Sequence, residues 1–319
     1  MISILKKIIL CLAVVIILDR VCGYLFMEIF FKNTFSGESG GTINYVISKK
    51  PKLDFLILGP SRAKHSINPN TLTALGKNGH NLGINATTII NSSLIFDLLL
   101  KEGVTTKVLV LQTDLENYNK QSDSVLLDQI KRLYPYDTDT IRSYVKELSF
   151  AERLMYQSDL YKLNRKMLNV GFNFLKRNSM EDYNGYVGLP STQYPPLDTS
   201  LSQNYVFDET TKNWEAFKKI AALAKRKDIP LIVVFPPSYK NVFFNKVEQK
   251  KLVEAMKKEG VALIVDLSDV TKIPRLENKD LWRDSLHLNS EGAEIFSELL
   301  NNELKKSLIK SPHIKKSTL

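Results

Sequence analysis

The chain has almost no cysteine. Two cysteines, Cys11 and Cys22, occur among its 319 residues, and both lie near the amino terminus. The rest of the sequence therefore offers neither an internal disulfide nor a cysteine-based metal site. This scarcity is compatible with an oxidising compartment and with a reducing one. A domain of this length buries enough apolar surface to fold without disulfide bonds.

Motifs that bind phosphate, metal or nucleic acid are also missing. The sequence contains no glycine-rich phosphate loop, no cluster of histidine and cysteine, and no basic motif with interleaved aromatic residues. Nucleotide-dependent, zinc-dependent and nucleic-acid-binding functions therefore have no support, and we expect no cofactor and no metal. The net charge of +10 favours an anionic partner but does not identify its class.

Long apolar runs are confined to the amino terminus. Ile8–Leu18 is uninterrupted, and after Asp19 and Arg20 the apolar character continues to Phe31. The first run spans only about 16 Å as a helix, whereas the whole range 8–31 is long enough to cross a bilayer. A cleaved signal peptide and an uncleaved anchor both fit this pattern. The sequence favours the anchor because a good cleavage site is lacking.

The basic residues at the start set the expected orientation of this anchor. Lys6 and Lys7 precede the apolar run, and positive residues favour the cytoplasmic side of a membrane. We therefore expect a single-pass protein of the inner (cytoplasmic) membrane whose main domain lies outside the cytoplasm. Asp19 and Arg20 are then expected near the outer interface or beside a membrane partner.

Several short apolar runs follow, and helical patterns separate most of them. The runs are 54–58, 80–84, 107–112, 230–235 and 262–267. Apolar residues recur at helical spacing in Thr88–Glu102, Asn213–Lys227, Asn245–Glu259 and Ser290–Lys305. Continuous apolar strands that alternate with helices indicate a parallel sheet covered on both faces. We predict a three-layer α/β sandwich with a parallel sheet of about five strands, whose ligands bind at the carboxyl ends of the strands.

The predicted organisation is an anchor at 1–31, a tether at 32–52, and an α/β domain at 53–319 with an insertion at about 117–210. The Gly/Ser-rich segment 36–42 indicates the tether. The insertion holds most of the 13 tyrosines. We interpret it either as a packing element whose tyrosines bury their rings or as a lid over the functional site.

Two segments carry residues suited to nucleophilic catalysis. Ser61 follows the first predicted strand in the sequence LGPSR (58–62), where a helix can begin. A serine nucleophile needs a base, and His287 is the candidate, with Asp284 on the same turn. Both precede the last predicted helix, which places them at the same edge of the sheet as Ser61. The alternative for Ser61 alone is a helix N-cap.

The order of these motifs, a strand with Gly-x-Ser near the start and Asp-x-x-His before a terminal helix, resembles the SGNH/GDSL hydrolase superfamily. In detail it is similar to the membrane-anchored bacterial branch that includes polysaccharide O-acetylation proteins and the D-alanyl-transfer protein of teichoic acid synthesis. The resemblance covers residues 53–115 and 228–302 and implies a flavodoxin-like SGNH fold. It also implies Ser61 as the nucleophile, His287 as the base and Asp284 as the residue that orients His287.

The resemblance further implies an oxyanion hole, to which Ser61 and Gly83 contribute N–H groups. The family's third block reads Gly-x-Asn-Asp, whereas this chain has Asp114 in place of the oxyanion-binding asparagine. An ionised carboxylate repels a developing oxyanion. Either Asp114 is protonated and serves as the third donor, or Asn85 or Asn117 takes its place, or this block is not used.

Two functions follow as expectations from the resemblance. The first is a membrane-anchored serine esterase or acyltransferase that acts on acyl groups of a cell-envelope polysaccharide or related glycan, with a membrane-bound O-acyltransferase as partner. The second is a non-catalytic SGNH-fold partner or glycan-binding subunit of such a system, which Asp114 favours. An unliganded structure with Ser61 far from His287 would favour the second. Arg62, beside the nucleophile, either binds an anionic substrate or forms a salt bridge.

Overall fold

The chain forms two compact units. The amino-terminal unit comprises residues 1–49 and 127–180, and the sheet unit comprises residues 50–126 and 181–319. The structure is a computed structural model that describes residues 2–37, 40–119, 130–163, 166–175, 184–192, 197, 205–242 and 244–310. All the candidate catalytic residues belong to the sheet unit.

The strands and helices follow the predicted pattern closely. The strands are β1 (Leu53–Leu58), β2 (Gly79–Asn81), β3 (Thr106–Gln112), β4 (Leu231–Phe235) and β5 (Leu263–Asp266). The helices are α1 (Ile2–Leu25), α2 (Gly41–Lys49), α3 (Ser61–Ser66), α4 (Ile89–Lys101), α5 (Asp139–Lys146), α6 (Phe150–Met155), α7 (Asp159–Lys162), α8 (Met167–Leu175), α9 (Lys212–Arg226), α10 (Lys246–Lys258) and α11 (Ser290–Lys310). Five strands are present as predicted, although β2 covers Gly79–Asn81 and not the predicted 80–84, and the predicted helices correspond to α4, α9, α10 and α11.

The sheet is parallel throughout, as predicted. Its 5 strands lie in the order β2-β1-β3-β4-β5. The order reverses at β1, where Ile57 pairs with Asn81 of β2 on one side and with Val110 of β3 on the other. Parallel pairing brings the carboxyl ends of the strands to one edge. Ligands of open α/β sheets bind beyond this edge, in the crevice where the order reverses.

Helices contact both faces of the sheet. On one face, Ala63 of α3 and Phe296 of α11 share a buried cluster with Ile57, Val110 and Val234 of the strands. Side chains alternate along a strand, so the neighbouring strand residues point to the other face. There α9 contacts both α4 and β4. The fold is therefore of the α/β class.

The amino-terminal unit is built around a long apolar helix. Helix α1 continues into a π-helical turn at Phe26–Phe31. An 18-residue window within Ser3–Phe31 has a mean hydropathy of 2.4, and the range is long and apolar enough to cross a membrane. Near its end, Phe31 is buried in a small cluster with Leu163 and Val170. The long helix thus packs against the helices of its own unit.

Asp19 and Arg20, which interrupt the apolar run, find partners within the same unit. Asp19 accepts hydrogen bonds from the hydroxyl of Ser158 at 2.5 Å and from the N–H groups of Asp159 and Leu160 at 3.0 and 3.2 Å. The guanidinium of Arg20 lies 2.8 Å from the carboxylate of Asp159. The chain itself therefore supplies partners for both charged side chains.

The limits of the two units differ from the predicted domains. The predicted tether at 32–52 contains helix α2, because Ile43 and Val46 bury their side chains there. The predicted insertion at 117–210 is divided between the units. Its middle part belongs to the amino-terminal unit, whereas residues 184–192 belong to the sheet unit.

Candidate active site

Ser61 stands at the first position of α3, just beyond the end of β1. The connection depends on Gly59, whose φ is +150° and whose added Cβ would lie 2.7 Å from the carbonyl oxygen of Gln112. Only glycine tolerates that conformation and that close approach. Pro60 occupies the N-cap position, so the interpretation of Ser61 as a helix cap is wrong. Its hydroxyl is directed to His287 instead.

Ser61, His287 and Asp284 form one chain of hydrogen bonds. Ser61 Oγ lies 2.7 Å from His287 Nε2, and His287 Nδ1 lies 3.0 and 2.9 Å from the two carboxylate oxygens of Asp284. A carboxylate accepts hydrogen bonds, so Nδ1 carries the proton and Nε2 accepts the hydrogen bond of the serine hydroxyl. The structure thus brings together the three residues singled out in the sequence.

Hydrogen bonds keep the Asp284 carboxyl ionised. Burial raises its pKa, but the hydrogen bonds from the His287 ring and from the N–H groups of Leu286 and His287 outweigh burial, so the pKa lies below its ordinary value. An ionised Asp284 stabilises the imidazolium that forms when His287 takes a proton. The side chains of His287 and Asp284 are 20% and 23% exposed, so neither is fully buried.

A short closed loop presents His287 in front of α11. Trp282 and Leu288 form an antiparallel bridge at the base of the loop. The carbonyl oxygen of His287 accepts a hydrogen bond from the N–H group of Arg283 at 2.8 Å. The backbone on both sides of the imidazole is therefore held by hydrogen bonds, which limits the directions in which the ring can point.

A second histidine lies beside the first. The ring centres of His65 and His287 are 6.3 Å apart. His65 Nδ1 lies 2.6 Å from the carbonyl oxygen of Val187, and its Nε2 lies 2.7 Å from Asn85 Oδ1. A carbonyl only accepts, so Nδ1 carries a proton. Burial lowers the pKa of His65 below its ordinary value, although the hydrogen bonds to Val187 and Asn85 act in the opposite direction.

Sequence reasoning left His65 without a role at the site. The signal that points to it is its place one turn after Ser61 on α3, since residues three or four apart share a face of a helix. Its partner Asn85 comes from the loop after β2 and could be found only in the folded chain.

Gly83 does not have the surroundings expected of an oxyanion donor. Its N–H group donates to Asn81 Oδ1 at 2.8 Å, so the expected role of this N–H is contradicted. A Cβ on Gly83 would lie 2.5 Å from the backbone nitrogen of Lys64. The glycine is therefore needed for close packing of this loop against the first turn of α3.

Arg62 and Asp114 form a buried ion pair at the ends of β1 and β3. The Arg62 guanidinium donates to the Asp114 carboxylate and to the carbonyl oxygen of Pro237, and Gln112 Nε2 donates to the second Asp114 oxygen at 2.8 Å. Arg62 is only 5% exposed, so its expected binding of an anionic substrate is wrong and the salt-bridge alternative is the one observed. Both carboxyl oxygens of Asp114 are thus engaged within the protein, by Arg62 and by Gln112, which does not fit the expected role of an oxyanion donor.

The two asparagines proposed as third donor differ in their contacts. Asn117 is buried, and its Nδ2 lies 3.5 Å from the carbonyl oxygen of Asp114. Asn85 is half-buried and is bonded to His65, which neighbours the imidazole of His287. Asn85 is therefore the candidate that the contacts connect to the site.

Part of the predicted insertion lies along the site. The N–H group of Val187 donates to the carbonyl oxygen of Lys64 in α3 at 3.2 Å. The carbonyl oxygen of Leu189 accepts two hydrogen bonds from Ser290 at the start of α11, one from its N–H group and one from its hydroxyl, each at 2.8 Å. Residues 184–192 thus join the helix that carries Ser61 to the helix that follows His287. Movement of this segment as a lid stays a prediction.

The arrangement as a whole is suited to nucleophilic catalysis. A serine hydroxyl, an imidazole in the required tautomer and an ionised carboxylate follow one another in hydrogen-bond contact. No protein-family model matches the chain, and no curated protein matches its sequence.

Proposed function

We propose that the protein is a membrane-anchored serine esterase or acyltransferase of the SGNH type. The observation that carries the proposal is the 2.7 Å contact between Ser61 Oγ and His287 Nε2, with Asp284 bonded to the opposite ring nitrogen. A structural serine and histidine would not need this tautomer, whereas a base that activates a hydroxyl does.

The chemistry follows from these contacts. Ser61 Oγ attacks the carbonyl carbon of an acyl ester while His287 Nε2 takes the hydroxyl proton. The tetrahedral intermediate collapses, the bond to the leaving oxygen breaks, and His287 returns the proton to that oxygen. The acyl group is then bound to Ser61 as an ester. Water or a carbohydrate hydroxyl, deprotonated by His287, attacks this ester and releases the serine.

The negative charge on the carbonyl oxygen needs hydrogen-bond donors during both steps. We assign this part to the backbone N–H group of Ser61 and to the side chain of Asn85. The ion pair with Arg62 supports the assignment, because it neutralises the Asp114 carboxylate that would otherwise repel the oxyanion. In this proposal Gly83 contributes through close packing and does not donate a hydrogen bond to the oxyanion.

The topology supports the SGNH assignment. The strand order β2-β1-β3-β4-β5 is that of flavodoxin-like sheets, in which the ligand binds where β1 and β3 diverge. Ser61 follows β1, and the Arg62–Asp114 pair joins the ends of β1 and β3. The proposed nucleophile therefore occupies the place at which this topology favours a site.

The amino-terminal helix supports anchoring as opposed to a cleaved signal peptide. The Asp19 carboxylate accepts three hydrogen bonds from residues 158–160. Phe31, at the end of the apolar range, belongs to a buried cluster. Cleavage at the Val21–Cys22–Gly23 sequence would remove the acceptor of these hydrogen bonds. The proposed location is the cytoplasmic membrane with the catalytic unit outside. The acceptor, an envelope glycan, and the partner, a membrane-bound O-acyltransferase, rest on the resemblance alone.

Labelling with a fluorophosphonate tests the catalytic proposal. We expect the wild-type chain to be labelled at Ser61, the Ser61→Ala variant to remain unlabelled, and the Ser268→Ala variant to react like the wild type. Ser268 is a serine of the same unit whose hydroxyl donates a hydrogen bond to the carboxylate of Asp266. A wild-type chain that is never labelled and releases no acetate from small acetate esters would contradict the proposal.

The second candidate function is a non-catalytic glycan-binding subunit of an acyltransferase system. Two observations favour it: Asp114 replaces the expected asparagine, and the Gly83 N–H group is engaged by Asn81. Glycan binding that is equal in the wild type and in Ser61→Ala, together with absence of labelling, would support this function over the first.

A further inference from the structure

The amino-terminal unit exposes large apolar side chains outside α1. On α6, Phe150 and Leu154 are 73% and 62% exposed, and on α8, Leu168, Phe172 and Leu175 are 79%, 61% and 74% exposed. Their spacing of three and four residues places each set on one face of its helix. Surfaces that face water seldom expose so many large apolar side chains together.

Helix α8 lies beside the end of the long apolar helix. Val170 is buried in the cluster of Phe31, and the ring of Phe174 contacts the ring of Phe30 edge-on, with their centres 5.1 Å apart. The whole range Met167–Leu175 contains no charged residue. The exposed face of α8 therefore adjoins a segment that is apolar enough to cross a membrane.

The same unit contains a basic cavity of about 230 Å³. Among the residues that line it, the cations Arg142, Lys146, Arg153 and Lys162 outnumber the carboxylate of Asp137. Arg142 and Lys162 pair with Asp137. Within the part of the chain that the structure describes, Lys146 and Arg153 have no carboxylate partner. The cavity thus keeps an excess of positive charge.

This cavity is connected to the point where charged residues interrupt the apolar run. Lys162 Nζ lies 3.4 Å from the carboxylate of Asp159, which also pairs with Arg20. The N–H group of Asp159 donates to Asp19. Charged residues within an apolar range are costly in the hydrocarbon core and favour the membrane interface, which is the depth of the phospholipid phosphates.

We propose that the amino-terminal unit docks on the bilayer that α1 enters. The exposed apolar faces of α6 and α8 lie among the acyl chains close to the interface, and the basic cavity binds the phosphate of an anionic phospholipid. Helices that combine an apolar face with nearby basic residues bind membranes in this way. The adjacency to α1 and the unpaired cations favour lipid over a protein partner. The proposal is independent of catalysis at Ser61.

Site-specific fluorescence tests the docking of the helices. The probe is attached to Leu154→Cys or Phe172→Cys in the full chain, after Cys11→Ala and Cys22→Ala, in vesicles of phosphatidylcholine and phosphatidylglycerol. We expect both probes to be quenched by lipids with a nitroxide near the headgroup and to be shielded from aqueous iodide. A probe at Lys225→Cys, on the exposed side of α9, is the control and should show the reverse.

Two results would overturn the docking. Quenching by iodide at positions 154 and 172 as strong as at position 225 would place both faces in water. Shielding from iodide without quenching by the labelled lipids would show that a second copy or another protein covers these faces.

A charge variant tests the phosphate site. We expect the combined Lys146→Gln and Arg153→Gln changes to reduce the preference for spin-labelled phosphatidylglycerol over phosphatidylcholine by about 30-fold, from roughly fivefold for each basic residue. The matched control combines Lys218→Gln and Lys225→Gln on α9 and should leave the preference unchanged. An unchanged preference in the first variant would overturn the site. Displacement of the lipid by equimolar inorganic phosphate would assign the cavity to a free anion and also overturn it.

Discussion

At the level of single residues, the tautomer of His287 decides whether the site can act. Nδ1 must carry the proton so that Nε2 can accept another from Ser61. Asp284 selects this state because its carboxylate faces Nδ1 at 2.9 Å and cannot donate. An amide at the same place would turn its NH₂ group towards Nδ1 and leave the proton on Nε2.

We therefore expect Asp284→Asn to lower kcat for a small acetate ester by about 10⁴-fold, with a much smaller effect on KM. Asp280→Asn, an exposed carboxylate in the neighbouring turn, serves as the control and should keep the wild-type rate. A rate of Asp284→Asn within tenfold of the wild type would show that Asp284 does not orient the base.

The Arg62–Asp114 pair is the second residue-level determinant, because both charges are buried. Removing one partner of a buried pair leaves the other charge uncompensated, which costs about 3–5 kcal/mol. We expect Asp114→Asn to destabilise the chain by this amount even though it restores the asparagine of the SGNH pattern. Urea unfolding in detergent measures the change.

A double-mutant cycle supplies the control for this pair. Arg62→Met with Asp114→Leu should cost less than the sum of the single changes, because no charge is then left unpaired. Lys250→Met, which removes an exposed pair with Glu254 at 4.0 Å, should cost well under about 1 kcal/mol. Additive costs at Arg62 and Asp114 would contradict the coupling.

His80 makes stability depend on pH. Burial lowers its pKa from 6.5 to about 4, so between these pH values the unfolded chain binds more protons than the folded chain. The stabilising effect is present above pH 6.5 and is lost as the pH falls towards 4, by about 3 kcal/mol in total. We expect His80→Gln to flatten the decrease in thermal stability over this window. Equal slopes in the two proteins would show that His80 is not the titrating group.

At the level of elements, the site depends on how closely the loop after β2 approaches α3. Gly83 permits this approach, since a Cβ there would lie 2.5 Å from the Lys64 nitrogen. His65 and Asn85 then bridge the same helix and loop at 2.7 Å. The first turn of α3, which carries Ser61, is thus positioned by a neighbouring segment as well as by its own strand.

We expect Gly83→Ala to displace this turn, to cost about 1–3 kcal/mol, and to reduce the rate of Ser61 labelling. Gly171→Ala, where a Cβ meets nothing within 4 Å, is the control: it should not destabilise the chain, because alanine favours a helix interior over glycine by about 0.5–1 kcal/mol, and it should leave the labelling rate unchanged. Unchanged labelling in Gly83→Ala would mean that the loop does not position Ser61.

At the level of the whole molecule, the chain divides into two compact units. Asp19 organises residues 158–160 of the amino-terminal unit, whereas the contacts described for Ser61 lie in the sheet unit. We expect Asp19→Ala to speed tryptic cleavage near Arg153 and Lys162, because the hydrogen-bond donors of residues 158–160 lose the carboxylate that accepts from them. Labelling of Ser61 in Asp19→Ala should stay within twofold of the wild type. The control is Asp139→Ala, which changes an exposed carboxylate; its rate of tryptic cleavage and its labelling of Ser61 should both stay within twofold of the wild type. A parallel loss of labelling in Asp19→Ala would show that the units depend on each other.

Local patterns were sufficient to predict the strands, the main helices and three residues of the site. The run before Gly59 is apolar over the length of one strand, and Asp284 and His287 lie within one turn. Such features depend on periodicity and short spacing, which survive in a linear sequence. The apolar range that ends at Phe31 was identified for the same reason.

The pairing of distant residues required the packed chain. Asp114 is 52 residues from Arg62, and nothing in either neighbourhood shows that β1 and β3 end side by side. The engagement of Gly83 by Asn81, the contact of His65 with Asn85, and the grouping of residues 127–180 with the apolar helix are of the same kind. A hydrogen bond or ion pair between remote segments exists only once the sheet and its helices bring the two groups within reach and exclude water from them.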